Sequence, residues 1–165
     1  MTILGKDRPG LVSNISKVIV EHGGNWLDSH LAEVAGYFGG LLHVAVSVDQ
    51  LDSLKAALRG LESEGLEIII SPGPQDLRTE EGLEIELELV GNDKPGIINQ
   101  VTDAIASHGA NLLELETEYG SAPMSGQEIF KAFAKIQFPS QASLDELRRD
   151  LEKIAADLMV DISVQ

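Results

Sequence analysis

Gly5-Lys6-Asp7-Arg8-Pro9-Gly10-Leu11-Val12 returns further along the chain as Gly91-Asn92-Asp93-Lys94-Pro95-Gly96-Ile97-Ile98, and this recurrence decides the fold. The offset, Gly5 to Gly91, is 86 residues, and it continues without a gap through Ile19 and Ile105, His22 and His108, Gly23 and Gly109, Asn25 and Asn111, and Leu27 and Leu113. Spacing as well as identity is preserved, as expected of a duplicated structural unit. Between the copies, Ser71 to Gly82 is rich in turn formers and charge and follows neither strand nor helix periodicity, so it reads as a linker. The expected division is a first module over 1–71, a linker over 72–82 and a second module over 83–165.

Each copy alternates strand and helix signals. Leu83, Ile85, Leu87 and Leu89 alternate with Glu84, Glu86 and Glu88, the period of a strand with one buried face. The offset places the start of the matching strand ahead of Met1, so the first copy's strand one is expected to be short, or the start to lie upstream. Leu11, Ile15, Val18 and Ile19 fall at helical spacing, as do Ile97, Val101, Ala104 and Ile105, with Pro9 and Pro95 expected in the first turn. His22-Gly23 and His108-Gly109 close these helices: glycine suits a left-handed cap and imidazole the negative end of the helix dipole.

Strands two and three are expected over 25–34 and 38–48, then over 111–119 and 128–138, with a longer second connection through 120–126. Second helices follow from Leu51, Leu54, Leu58 and Leu61, and from Leu144, Leu147, Leu151, Ile154, Ala155 and Leu158, the latter opened by a Ser143–Glu146 capping box. Final strands over 66–71 and 160–164 complete βαββαβ twice. The fold class is α+β: two ferredoxin-like modules in tandem, each an antiparallel sheet with its helices on one face.

Charge and composition exclude several functions. With 27 acidic against 12 basic side chains the net charge is −15, which repels a nucleic acid over most of the surface. There is no cysteine, hence no disulfide and no thiolate chemistry. No apolar run approaches a membrane span and the first residues lack a signal-peptide layout, so the expected location is cytoplasmic. His22, His30, His43 and His108 have no zinc-motif spacing, so caps and surface roles are expected and no metal. Trp26 is the sole tryptophan and is expected to pack at a strand edge or module seam. No nucleophile elbow, phosphate loop or dinucleotide fingerprint occurs, so no catalytic residue and no cofactor is expected. Lys131 and Lys135 are expected between Glu84, Glu86 and Glu88 on one side and Glu114, Glu116 and Glu118 on the other, on the face away from the helices. Such a face reads as solvated, with a charged docking face as the alternative.

The Asp-Arg-Pro-Gly-Leu-Val stretch, an apolar helix and then His22-Gly23-Gly24-Asn25 resemble an ACT domain. Two such modules, with Gly23-Gly24-Asn25-Trp26-Leu27-Asp28-Ser29 in the first, are similar to the glycine cleavage system transcriptional repressor family. The resemblance implies a regulatory, non-enzymatic protein that binds a small molecule, an amino acid and by family glycine, where modules pair. Carried over, the ligand-contacting positions are Asp7, Gly10, Leu11 and Asn25, with Asp93, Gly96, Ile97 and Asn111 in the second copy. Glycine lets backbone N–H groups approach a ligand and the helix N-terminus favours a carboxylate, while an aspartate accepts from an ammonium and asparagine both donates and accepts. Without the resemblance the same residues read as an ordinary helix start and turn.

An acidic chain with no helix-turn-helix would act on transcription through a DNA-binding regulator, and a homodimer is the expected assembly. The alternatives are a regulatory subunit on a metabolic enzyme and an oligomerisation module with a vestigial ligand site. Co-purification separates the first two, because a transcription regulator and an enzyme are different partners.

Overall fold

The central strands of each sheet have one apolar side to hide, and in each copy the two helices supply the cover. The computed structural model describes residues 1–73, 82–121, 128–139 and 144–164. The chain divides into two compact units, Met1–Leu77 and Arg78–Gln165. The first contains β1 (Thr2–Lys6), α1 (Leu11–Glu21), β2 (Asn25–Val34), β3 (Tyr37–Ala45), α2 (Val48–Gly60), a 3-10 turn (Leu61–Glu64) and β4 (Leu66–Ile69). The second contains β5 (Gly82–Asn92), α3 (Ile97–Ser107), β6 (Asn111–Ser121), β7 (Glu128–Pro139), α4 (Leu144–Leu158) and β8 (Val160–Val164). The sheet orders are β2-β3-β1-β4 and β6-β7-β5-β8, with antiparallel pairing throughout. These are two ferredoxin-like βαββαβ modules.

Each module has its own core. Ile3, Ile15, Ile19, Leu42, Leu54 and Leu58 are buried in the first, and Leu89, Val101, Ile105, Ile136, Leu147 and Leu151 in the second. No polar or charged residue is buried among the described residues, so burial of apolar surface is the main favourable term.

Several boundaries differ from the sequence expectations for identifiable reasons. Pro9 and Pro95 lie outside the helices, because Gly10 and Gly96 hold the N-cap with φ of 90° and 92°, a left-handed backbone that a helix cannot include. Strand three ends at Ala45, not Val48: Ser47 takes an extended N-cap conformation and Val48 opens α2. Strand β4 stops at Ile69, not Ser71, because its partner β1 runs out at Thr2. The tip of β6 reaches Ser121, and β7 runs one residue further, to Pro139. The Ser143 half of the capping box, loop residues 122–127 and linker residues 74–81 lie outside the described residues.

Both α1 and α3 end in a Schellman arrangement. Gly23 N–H donates to the Val20 carbonyl and Gly24 N–H to that of Ile19, while Gly109 and Ala110 donate to Ala106 and Ile105. Gly23 and Gly109 have φ of 69° and 70°. The two cap imidazoles then diverge. His22 Nδ1–H donates to the Val18 carbonyl at 2.9 Å, whereas His108 Nε2–H donates to Asp150 on α4 at 3.1 Å. A hydrogen bond from Lys153, then the one from His108, holds the Asp150 carboxyl below the usual carboxylate range. The linkage favours the folded state at neutral pH and is lost as pH falls below the ordinary carboxylate value through the depressed one.

The first copy joins β2 to β3 by Ala35-Gly36, with φ of 52° and 84°. Positive φ at both central residues is the type I′ hairpin turn, in which asparagine is favoured first. An L-residue with a Cβ costs about 1–2 kcal/mol there. Ala35→Asn is therefore expected to stabilise the first module by roughly 1 kcal/mol, read as a higher urea midpoint at unchanged m-value.

The open faces of the two sheets differ in chemistry. In the first, Leu4, Leu41 and Ile69 are exposed. In the second, Lys135 stands opposite Glu86 and Glu114 with its Nζ 3.2 Å from Glu84, and Lys131 stands opposite Glu118 at 3.9 Å. Phe133, not a lysine, lies between Glu88 and Glu116, because the period of two puts it on the same face midway between the lysines. These exposed pairs are worth little each.

Trp26 is half-buried against the first core, with its indole N–H donating to Ser29 at 3.2 Å. It lies beside a bulge in β2, and β6 carries a bulge at the matching place, after Leu112. The bulge leaves Leu27 and Leu113 exposed in both copies.

Candidate functional site

The repeated loop is built by geometry that only glycine adopts at low cost. With φ near +90°, Gly10 and Gly96 turn the chain from the strand end into the helix. Neither α1 nor α3 has a side-chain cap on its N-terminus. The first intrahelical bonds run from Asn14 N–H to the Gly10 carbonyl and from Gln100 N–H to that of Gly96. The amides ahead of them, starting at Leu11 and Ile97, are the orphan donors of a helix N-terminus, where the dipole favours an anion. Backbone bonds fix each loop to the neighbouring hairpin: Asp7 N–H donates to Gly36, and Asp93 N–H to Glu128.

The two loops then differ. In the first copy Arg8 crosses to Glu64, at 2.9 Å from its carboxylate and 3.2 Å from its carbonyl. In the second copy Asp93, Lys94, Gly96, Ile97, Asn99 and Phe130 line a cleft of about 310 Å³. Phe130 comes from β7, where it pairs with Gly91 and Tyr119 and packs on the core. On the neighbouring strand the Tyr119 hydroxyl donates to Glu128, and that bond, then partial desolvation and the nearby carboxylates of Glu128 and Asp93, raise the phenol above its ordinary value.

Asp93, Gly96 and Ile97 are thus brought together, and Asp7, Gly10 and Leu11 share the equivalent loop. The asparagines stand elsewhere. Asn25 pairs with Ala45 while Lys6 pairs with Tyr37, eight residues away along β3, so about 26 Å separates the asparagine from the loop end of the sheet. Asn111, opposite Gln137, is displaced in the same way from Asn92, opposite Ile129. Within one module the loop and the asparagine therefore do not form one site. Phe130 and Asn99 are cleft residues that reading along the chain did not single out; the strand register that seats Phe130 opposite Gly91 is the signal that finds it.

Residues 1–70 match the profile of the ACT domain family. The match to that family spans the first module. The second repeats its topology strand for strand. Across both modules the chain is similar to an unknown protein from Galdieria sulphuraria, 28% identical, with 99% of this chain and 94% of that one covered at a TM-score of 0.79. It is also similar to a candidate glycine cleavage system transcriptional repressor, 20% identical, with 99% and 93% covered at a TM-score of 0.72. At that identity the second likeness bears on the fold. No curated protein matches the sequence. No helix among the described residues is long and apolar enough to cross a membrane.

Proposed function

We propose that this protein is a tandem ACT, non-enzymatic regulator that binds a small amino acid, glycine being the first candidate, and controls transcription indirectly through a protein partner. The carrying observation is the left-handed glycine set twice before an uncapped helix N-terminus and beside an aspartate, opening in the second copy on the 310 Å³ cleft. The parts suit an amino acid. Ile97 and its neighbouring amides, at the positive end of the α3 dipole, would hold the carboxylate, and Asp93 would accept from the ammonium. Phe130 and Ile98 offer apolar walls for a side chain. If modules pair so as to bring an Asn25 or Asn111 amide against the loop, the site is completed across the seam. The output is assigned to a DNA-binding protein partner because a net charge of −15 opposes direct contact with DNA.

The test is a thermal-shift panel of the twenty amino acids on the full chain. At 100 times the dissociation constant a ligand adds about 2.7 kcal/mol to stability. Gly96→Val should fold, since a Cβ there meets nothing closer than Gln100 Nε2 at 3.9 Å, at a conformational cost of about 1–2 kcal/mol, and should lose the ligand shift. A panel with no shift ends the sensing reading. A shift that survives Gly96→Val and Gly10→Val moves the site elsewhere.

A further inference from the structure

The two repeated loops share most of their parts. Asp93, Gly96, Ile97 and Phe130 have counterparts in Asp7, Gly10, Leu11 and Phe38, the two phenylalanines standing opposite Gly91 and Gly5. What separates the loops is the fate of one cation. The residue before the proline is Arg8 in the first copy and Lys94 in the second. Arg8 is held: its Nη2 donates to the Glu64 carboxylate at 2.9 Å and to the Glu64 carbonyl at 3.2 Å. Lys94 is half-buried in the wall of the cleft and makes no ion pair or side-chain hydrogen bond among the described residues.

Strand register explains why the second copy has no such contact. Gly5 pairs with Leu66 as Gly91 pairs with Val160, so Glu64, two residues before Leu66, corresponds to Leu158. The residues between agree: Gly65 and Met159 both carry left-handed backbone, with φ of 85° and 55°. Leu158 is 8% exposed and belongs to the second core, so this place offers Lys94 an apolar side chain instead of a carboxylate. An ammonium partly withdrawn from water with no anion beside it is left short of hydration, and a carboxylate restores the loss.

Resting on the amino-acid reading of these loops, we propose that the Arg8–Glu64 pair is an autoinhibitory latch and Lys94 the cation that meets the ligand's carboxylate, so that the two copies fill in sequence, the second before the first. To reach a carboxylate Arg8 has first to leave Glu64. The two side chains are 44% and 42% exposed, so the latch lowers the first copy's affinity by about fivefold and not by orders of magnitude. Lys94 is free at the outset, and its charge-assisted bond to a carboxylate strengthens binding about tenfold.

The probes are the twenty amino acids, each titrated to about 10 mM against the isotope-labelled full chain. With an amino acid that binds, the amides of Ile97, Ile98 and Asn99 are expected to reach their midpoint at about one fifth of the concentration needed at Leu11, Val12 and Ser13. Glu64→Ala should bring the two midpoints within about twofold and leave that of the second loop unchanged. Lys94→Met should weaken the second loop about tenfold and leave the first unchanged. Equal midpoints in the unaltered chain, a gap that persists in Glu64→Ala, or a second midpoint unmoved by Lys94→Met each overturn the assignment while leaving the amino-acid reading in place. No saturable shift at either loop with any of the twenty removes both.

Discussion

Gly91→Ala is expected to destabilise the second module by about 3 kcal/mol, the upper part of the range for overpacked sites, while Gly5→Ala costs the first only about 1 kcal/mol. Both glycines open the repeated loop motif, and both face the last strand of their module: Gly5 pairs with Leu66, Gly91 with Val160. A Cβ on Gly91 would meet the Cγ1 of Val160, its Cβ at 2.6 Å and its Cα at 2.8 Å. The last of these atoms is backbone, so no rotamer relieves the clash and β8 has to move away from β5. At Gly5 the nearest atom is the Leu66 Cδ2 at 2.8 Å, the end of a flexible side chain, followed by the Gly65 carbonyl at 3.0 Å. Leu66 can turn aside at modest cost. Amide exchange, resolved module by module, checks both values. The Val160→Gly change should restore little in the Gly91→Ala background, since the backbone of β8 still obstructs the new methyl group. Full recovery would show that only the Val160 side chain excludes a Cβ.

Those glycines mark what a sequence discloses and what it withholds. The motif repeat at constant spacing, with a period of two in Leu83–Leu89 and helical spacing in Leu11–Ile19, was enough to place strands, helices and both sheets, because these patterns are local consequences of burying one face. The recurrence of Gly5 as Gly91 was visible, but its cause was not, since the obstructing residue comes from a strand about 60–70 positions later. The same limit governs the site. Asp93, Gly96 and Ile97 are adjacent in sequence and remain adjacent in space, whereas Phe130 joins them only through strand register. Asn25 lies close to Leu11 along the chain, yet the intervening helix carries it to the far end of the sheet. The different characters of the two open faces follow from comparing Thr2, Ala32 and Gly39 with Glu88, Glu118 and Lys131, pairs that become equivalent only once the strands are in register.

Register also predicts that the two cores respond unequally to the same truncation. Ile136 is fully buried between Ile85 on one side and Leu112 on the other. Ile136→Ala leaves a hole that close packing cannot refill, and a cost of about 2–5 kcal/mol is expected. Its counterpart Val44 has Trp26 on one side and a cavity of about 710 Å³ on the other. Val44→Ala removes about two methylene equivalents from a place already open to solvent. It should cost about 1 kcal/mol, below the transfer value for full burial, with no cavity penalty added. Urea denaturation followed by Trp26 fluorescence reports the first module, and amide exchange at Leu89 and Val101 reports the second. Comparable losses in the two variants would mean that the first module closes over Val44. A gap of about 2 kcal/mol or more would mean that Val44 stays partly solvated in the folded module.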